Sequence, residues 1–106
     1  MPKFLVKASY TTEGVKGVQS AGGTSRRDAV AKMAEGLGGR LESFYFAFGE
    51  TDAYVVLDLP DNKTAAAASI AVNSAGGATS QVIVLLTPEE IDAAAEISVD
   101  YRPPGS

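Results

Sequence analysis

The alternation of hydrophobic and polar positions predicts four β-strands. Each predicted strand is a β-rich run that ends at Thr, Gly or Pro residues. The runs cover residues 3–10, 40–48, 52–59 and 80–86. Because only the short turn Gly49-Glu50-Thr51 separates the second run from the third, we expect these two strands to form an antiparallel hairpin.

Helix-start residues and apolar spacing predict two helical stretches between the first two strands. Thr12 is expected to cap the first stretch, which breaks at Gly22-Gly23. Ser25 followed by Asp28 resembles a capping box for the second stretch. An apolar stripe over residues 29–37 then predicts a helix that packs on a core.

Two more helices are predicted after the hairpin. The Ala-rich stretch 64–75 follows the turn Pro60-Asp61-Asn62, and its sheet-facing residues are expected to be Ala67, Ile70, Ala71 and Ser74. Thr87-Pro88-Glu89-Glu90 is a strong helix start, with Thr as the cap, Pro first and Glu three residues after the cap. The buried face of this last helix is expected to contain Ile91, Ala94, Ala95 and Ser98.

The predicted element order indicates the fold class. A β-α-β-β-α-β order with an added C-terminal helix is typical of an α+β, ferredoxin-like domain. Such a domain has an antiparallel four-stranded sheet with its two main helices on one face. A chain of 106 residues is long enough for one core. We therefore predict a single domain over residues 1–100 and an extended tail over residues 101–106.

Three of the four predicted strands are apolar on both faces, although helices would cover only one. In the second strand, Leu41, Tyr45 and Ala47 are expected on one face and Phe44, Phe46 and Phe48 on the other. A monomer would expose one of these faces, and a large exposed apolar patch favours association. We predict that two sheets pack face to face in a homodimer or higher homo-oligomer. The alternative is that the C-terminal helix covers the second face within one chain.

The composition excludes several classes of function. The chain has no Cys and no His, which excludes disulfides, thiolate or imidazole metal sites, and Ser-His or Cys-His catalysis. A net charge of −4 argues against binding to nucleic acid or to an anionic membrane surface. The first residues do not resemble a signal peptide, and no apolar run approaches the ~18 residues of a membrane helix. We expect a cytoplasmic protein.

Three segments give the chain a resemblance to a known family. Thr12-Glu13-Gly14-Val15 follows the first strand, and Leu37-Gly38-Gly39-Arg40-Leu41 leads into an aromatic strand. Gly49-Glu50-Thr51-Asp52 aligns with a Gly-x-Tyr-Asp signature, with Thr51 at the position of the tyrosine. Together with the Pro60-Asp61 turn, these segments resemble the GYD domain family over nearly the whole chain.

The resemblance implies a fold more than a function. It implies a small ferredoxin-like protein of the dimeric α/β-barrel type. The activity of the family is largely unassigned, while related dimeric α/β barrels include cofactor-free monooxygenases and isomerases. Shared fold is weak support for shared activity.

The hairpin supplies the candidate catalytic residues. Glu50 and Asp52 can serve as acid and base, with Asp52 the preferred base and Tyr54 or Tyr45 as a proton donor. The alternative is structural, with the Asp52 carboxylate bonded to amides of its own turn. The absence of His lowers the case for an enzyme near neutral pH.

Two further groups of residues are candidates for ligand binding. Gly22-Gly23 before a helix that begins with Arg26 and Arg27 can hold an anion, or the arginines can simply be solvated. The aromatic residues can line an apolar pocket or can be core and interface; they are Tyr10, Phe44, Tyr45, Phe46, Phe48 and Tyr54.

The acidic residues give only a weak prediction of a metal site. Asp58 and Asp61, with Glu50 and Asp52, could suggest oxygen ligands for a hard cation, but they lack the spacing of a calcium loop. Turn and cap roles are the simpler interpretation, so we expect no metal and no cofactor. The leading hypothesis is a homo-oligomeric module that binds a small apolar or anionic ligand, or serves assembly, without catalysis. The alternative is a cofactor-independent enzyme acting on a small hydrophobic or phenolic substrate.

Overall fold

The chain forms one antiparallel sheet of four strands with helices on one face. The structure is a computed structural model that describes residues 1–105. The strands lie in the order β2-β3-β1-β4, an order consistent with a ferredoxin-like fold. The elements are β1 (Lys3–Tyr10), α1 (Thr12–Ala21), α2 (Gly23–Gly36), β2 (Arg40–Phe46), β3 (Ala53–Asp58), α3 (Asn62–Ala75), β4 (Ala78–Leu85) and α4 (Pro88–Ala95).

The core lies between the helices and one face of the sheet. Strands β1 and β3 occupy the centre and contribute its largest buried side chains, Phe4, Leu57 and the adjoining Leu59. Ala34 of α2 and Ala65 of α3 are buried against this face. Helix α2 packs against β2, and α3 packs against β4. The two helices therefore cover different halves of the sheet.

A β-bulge changes the predicted faces of β2. The register shifts between Leu41 and Ser43, so that Leu41 pairs with Leu57 and Phe44 pairs with Val55. Leu41 therefore lies on the helix-covered face together with Phe44 and Phe46, not with Tyr45 as predicted. A bulge adds one residue to one strand, and this reverses the alternation on one side of it.

The helix starts confirm some of the predicted caps and correct others. The Thr87 capping box with Glu90 is formed, and Asp61 caps α3. Helix α1 is capped by Thr11 and not by Thr12, because the Thr11 hydroxyl accepts the N–H of Gly14. The predicted capping box of Ser25 and Asp28 is wrong, since α2 begins one turn earlier, after Gly22.

The predicted buried face of α3 is also wrong. Ala65 and Ala68 are buried against the sheet, whereas the four residues predicted to face it include Ile70, which is 69% exposed. The other three are Ala67, Ala71 and Ser74, and all three are exposed. A helix that is Ala-rich on every side has little apolar periodicity from which to choose a face.

The C-terminal segment projects away from the domain. Every residue from 88 to 105 is exposed, so the predicted buried face of α4 is not buried in this chain. The radius of gyration is 16.8 Å, whereas a compact domain of this length has about 13 Å. Helix α4 therefore does not cover the second face of the sheet, and that alternative is wrong.

Candidate functional site

An open cleft separates the two halves of the helix layer. Helices α1 and α2 form one wall, α3 forms the other, and Tyr10 and Ala78 lie at the strand ends between them. The cleft has a volume of about 490 Å³, which lies within the usual range for small-molecule sites. A smaller void of about 50 Å³ lies deeper, between the helices and the sheet.

Small residues create this volume. Both walls of the cleft are rich in Gly and Ala, which leave space that larger side chains would fill. Gly14 is required at its position, because a Cβ there would collide with the carbonyl oxygen of Gly77. Gly17 has no such neighbour and faces open space. The small wall residues are Gly14, Gly17, Ala21, Ala29, Ala71 and Ala75.

Part of the predicted aromatic set gathers beside the cleft. Tyr10 lines both cavities, and Phe44 lines the deeper one. The ring centroid of Phe46 lies 6.4 Å from that of Tyr10 and 5.0 Å from that of Phe44. The Phe46 ring lies against Gly23 at the start of α2. Phe48 does not join this group and is fully exposed.

The two predicted arginines have different environments. Arg26 lines both cavities. Its Nε is buried, and no acceptor among residues 1–105 is bonded to it. Arg27 is exposed, and its Nη2 lies 3.2 Å from Oδ1 of the adjacent Asp28. Of the two, only Arg26 is placed to contact a molecule in the cleft.

The candidate acid–base residues lie outside the cleft. Asp52 Oδ2 accepts the N–H of Tyr10 at 2.8 Å, and the Asp52 N–H donates to the Ala8 carbonyl at 2.9 Å. Ser9 also donates its hydroxyl to the Glu50 carbonyl at 2.8 Å. These bonds attach the hairpin turn to the end of β1, so Asp52 bonds a neighbouring strand rather than its own turn.

Tyr45 and Tyr54 lie on the open face of the sheet. They are paired residues of β2 and β3, on the side opposite Ala53 and the core. Tyr45 is 70% exposed and Tyr54 is 40% exposed. Neither lines either cavity.

Asp58 and Asp61 have separate structural roles. Lys3 donates to Asp58 Oδ1 at 2.8 Å and also pairs with Glu42, while Arg40 Nη2 lies 2.8 Å from Asp58 Oδ2. The hydrogen bond from Lys3 lowers the pKa of Asp58.

Asp61 acts at a helix start instead. The N–H of Thr64 donates to Asp61 Oδ1 at 2.8 Å, and this bond lowers the pKa of Asp61. Within residues 1–105, acidic side chains do not form a cluster of three or more that could hold a metal ion.

Sequence reasoning missed the small-residue walls of the cleft. The sequence predicts helices for these segments, but it does not place the glycines of α1 and the alanines of α3 around a common space. Their signal was the concentration of Gly and Ala in two helices of the same layer. These residues line the same cleft as Arg26 only because of the tertiary packing, which the local periodicity of the sequence does not show.

These elements define a class of protein: an α+β domain with one open, antiparallel four-stranded sheet and helices on a single face. The family model for the GYD domain matches residues 4–95, and the chain therefore belongs to the GYD domain family. Comparison with curated proteins gives no significant match, and comparison with solved structures gives none either. Among the described residues, no helix is long and apolar enough to cross a membrane.

Proposed function

We propose that this chain is a homo-oligomeric module that binds a small apolar ligand without transforming it. The cleft between α1, α2 and α3 carries the proposal. It offers about 490 Å³ with mostly apolar walls and a few polar groups at one end, namely Tyr10, Ser25 and Arg26. Apolar walls with a few polar groups are typical of small-molecule sites.

The positions of the acid–base candidates favour binding over catalysis. A catalytic acid or base must lie within hydrogen-bond reach of the reacting group. Asp52 and the two hairpin-strand tyrosines line neither cavity, and the Asp52 carboxylate already accepts the N–H of Tyr10. The enzyme hypothesis would need a different pocket, formed with a second chain on the open face.

The open face of the sheet supports assembly with a second copy of this chain. One row across the sheet is apolar, with Leu5 of β1 paired to Val56 of β3 and to Ile83 of β4. The neighbouring rows are polar, with Lys3, Asp58 and Arg40 on one side of this row and Lys7 and Gln81 on the other. An apolar centre with a polar rim is typical of a protein interface. We propose that two such faces pack together, as in the dimeric α/β-barrel arrangement.

The projecting C-terminal segment supports the same partner. Ile91, Ile97, Val99 and Tyr101 are each more than half exposed. Full burial of an exposed Val or Ile side chain contributes about 1.5–3 kcal/mol, and burying the exposed part of these side chains would contribute a share of that. We propose that this segment packs against the neighbouring copy.

A cleft-filling variant tests the binding proposal. Ala71 lines the cleft, whereas Ala66 of the same helix is exposed and lies outside the lining. Ligand-observed NMR with a set of small aromatic compounds should detect binding to the unmodified protein and to Ala66→Phe. Binding should be lost in Ala71→Phe, because the ring would occupy the ligand volume. Equal binding by Ala71→Phe and Ala66→Phe would contradict the proposal.

A further inference from the structure

Arg26 lies at the edge of an apolar cleft and has no ion-pair partner among residues 1–105. Within residues 1–105, the ion pairs involve Lys3, Arg27 and Arg40, and not Arg26. Its Nε is shielded from water and unbonded in the same part of the chain. A buried polar group that lacks a hydrogen bond is destabilising, and more so when it is charged. Because Nε is shielded, the other N–H groups of the guanidinium are the ones that can bond an acceptor in the cleft.

The start of α2 adds positive potential at the same place. Gly22 has no side chain to cap the helix, and the first turn of α2 contains no acidic residue. The N–H groups at the start of a helix have no partners within it, and they form the positive end of the helix dipole. Gly22 and Ser25, on either side of these N–H groups, line the cleft beside Arg26. The cation and the helix start thus favour an anion at one end of the cleft.

The rest of the cleft is suited to a hydrocarbon or a ring. Val18, Ala29, Met33 and Val72 line it from three helices. Arg26 is the only charged residue among the lining residues of the described chain. A ligand that matches this arrangement has one charge at one end and an apolar body.

We propose that the cleft binds a small apolar carboxylic acid as its monoanion, with the carboxylate held by Arg26 at the start of α2 and the apolar part between α1, α2 and α3. The proposal rests on the proposed function, because it assigns a ligand class to the same cleft. A planar guanidinium matches a carboxylate with two parallel N–H···O bonds. A phosphate monoester would bring up to two negative charges to a site with a single cation, so we assign a carboxylate.

A pair of matched probes tests this assignment. 1-Naphthoate and 1-naphthamide have nearly the same shape, and only the first carries a negative charge at neutral pH. Titrations followed by two-dimensional amide NMR give both the affinity and the location. We expect naphthoate to shift amide signals of residues 22–26 and 71–78, and to bind about tenfold or more tightly than naphthamide.

Two neighbouring arginines provide the test variant and its control. Arg26→Gln should reduce naphthoate affinity about tenfold and naphthamide affinity much less, while Arg26→Lys should have an intermediate effect on naphthoate, since it keeps the charge without the planar fork. Arg27→Gln removes the same charge from the exposed neighbour that pairs with Asp28. It should leave the affinity of both probes unchanged. Unchanged amide spectra outside the cleft would show that each variant is folded.

The outcomes separate this proposal from the proposed function. Equal affinity of the two probes for the cleft would overturn the carboxylate assignment and leave small-molecule binding in place. An equal loss of naphthoate affinity in Arg26→Gln and Arg27→Gln would also overturn it, because the change in the net charge of the protein would then explain the effect. Tighter binding of 1-naphthyl phosphate than of naphthoate would overturn the choice of a carboxylate. If neither naphthoate nor naphthamide bound in the cleft, the proposed function itself would be contradicted.

Discussion

Both faces of the sheet carry apolar side chains, but the two faces differ in how many they carry and in what covers them. On one face, Phe4, Val55 and Leu57 are buried beneath α2 and α3. On the other, Leu5, Val56 and Ile83 form a row that no helix within residues 1–105 covers. Alternation within a strand shows which residues share a face, but it does not show whether that face is covered by a helix or by another chain.

The layer of helices over the covered face is not continuous. Its helices stand apart over the two halves of the sheet and leave the cleft beside Arg26. We therefore propose ligand binding at the covered face and assembly through the open face. Substitutions on each face test this difference between the covered and the open face, and the largest expected effect comes first.

Leu57 and Val56 are adjacent residues of β3 that face opposite sides of the sheet. Leu57 is 2% exposed. Leu57→Ala should lower the free energy of unfolding by about 2–5 kcal/mol, because it leaves a cavity in the core. Val56→Ala should lower the free energy of unfolding by a smaller amount. Urea unfolding measures both losses, and a loss of less than about 2 kcal/mol in Leu57→Ala would contradict the placement of Leu57 in the core.

Ile83 and Gln81 lie on the open face of the same strand, β4. Ile83→Asp places a charge in the apolar row and should dissociate the oligomer, because an unpaired buried charge is strongly unfavourable. Gln81→Asp places the same charge opposite Lys7 of β1, outside the apolar row, and should weaken the oligomer less. Light scattering at equal protein concentrations measures both masses. An unchanged mass in Ile83→Asp would show that this row is not the interface.

Asp58 makes the ion pairs of the open face depend on pH. Its pKa is lowered in the folded chain from the ordinary value of 3.8, chiefly by the hydrogen bond from Lys3. As pH falls, the unfolded chain binds the proton first, so this stabilisation is present above about pH 4 and is lost below it. Melting temperatures should therefore fall on acidification, and less steeply in Asp58→Asn.

Asp61 adds a second and independent source of acid dependence. Its pKa is also lowered, by the hydrogen bonds from Thr64 at the start of α3. The Asp58→Asn variant should thus keep part of the acid dependence. Identical acid profiles for the original chain and Asp58→Asn would contradict a stabilising role for this ion pair.

The cap of α4 should have the smallest effect on the fold. Thr87→Ala removes the capping box with Glu90, which stabilises a helix by about 1 kcal/mol. Because α4 is exposed throughout, this change should increase hydrogen exchange within α4 and leave global unfolding nearly unchanged. Thr87→Ser retains the hydroxyl and serves as the control. If Thr87→Ala lowered the free energy of global unfolding as much as it lowered the local stability of α4, α4 would have to pack against the domain.

Local signals in the sequence predicted much of the fold. The bounds of β1 are confirmed, as are the hairpin of β2 and β3, the Thr87 capping box and the Asp61 cap. Each depends on residues close in the chain, such as the Thr-Pro-Glu-Glu start of α4. The bulge at Leu41 had no such signal, and it moved that residue to the other face.

The candidate site was less predictable because it depends on packing between distant segments. The sequence identified Arg26 and Tyr10 as separate candidates, and only the packing of α1, α2 and α3 brings them to one cleft. It also placed Asp52 first among possible bases, whereas the carboxylate bonds the Tyr10 N–H. Local sequence shows which groups can react, and the fold decides which of them face a common space.

The most direct test of the central claim is the mass of the purified protein in solution, measured by light scattering together with native mass spectrometry. We predict a stable oligomer whose mass is a multiple of the 10.9 kDa chain at micromolar concentration. Addition of naphthoate should add the mass of the bound ligand. A single chain of 10.9 kDa under these conditions would contradict assembly through the open face.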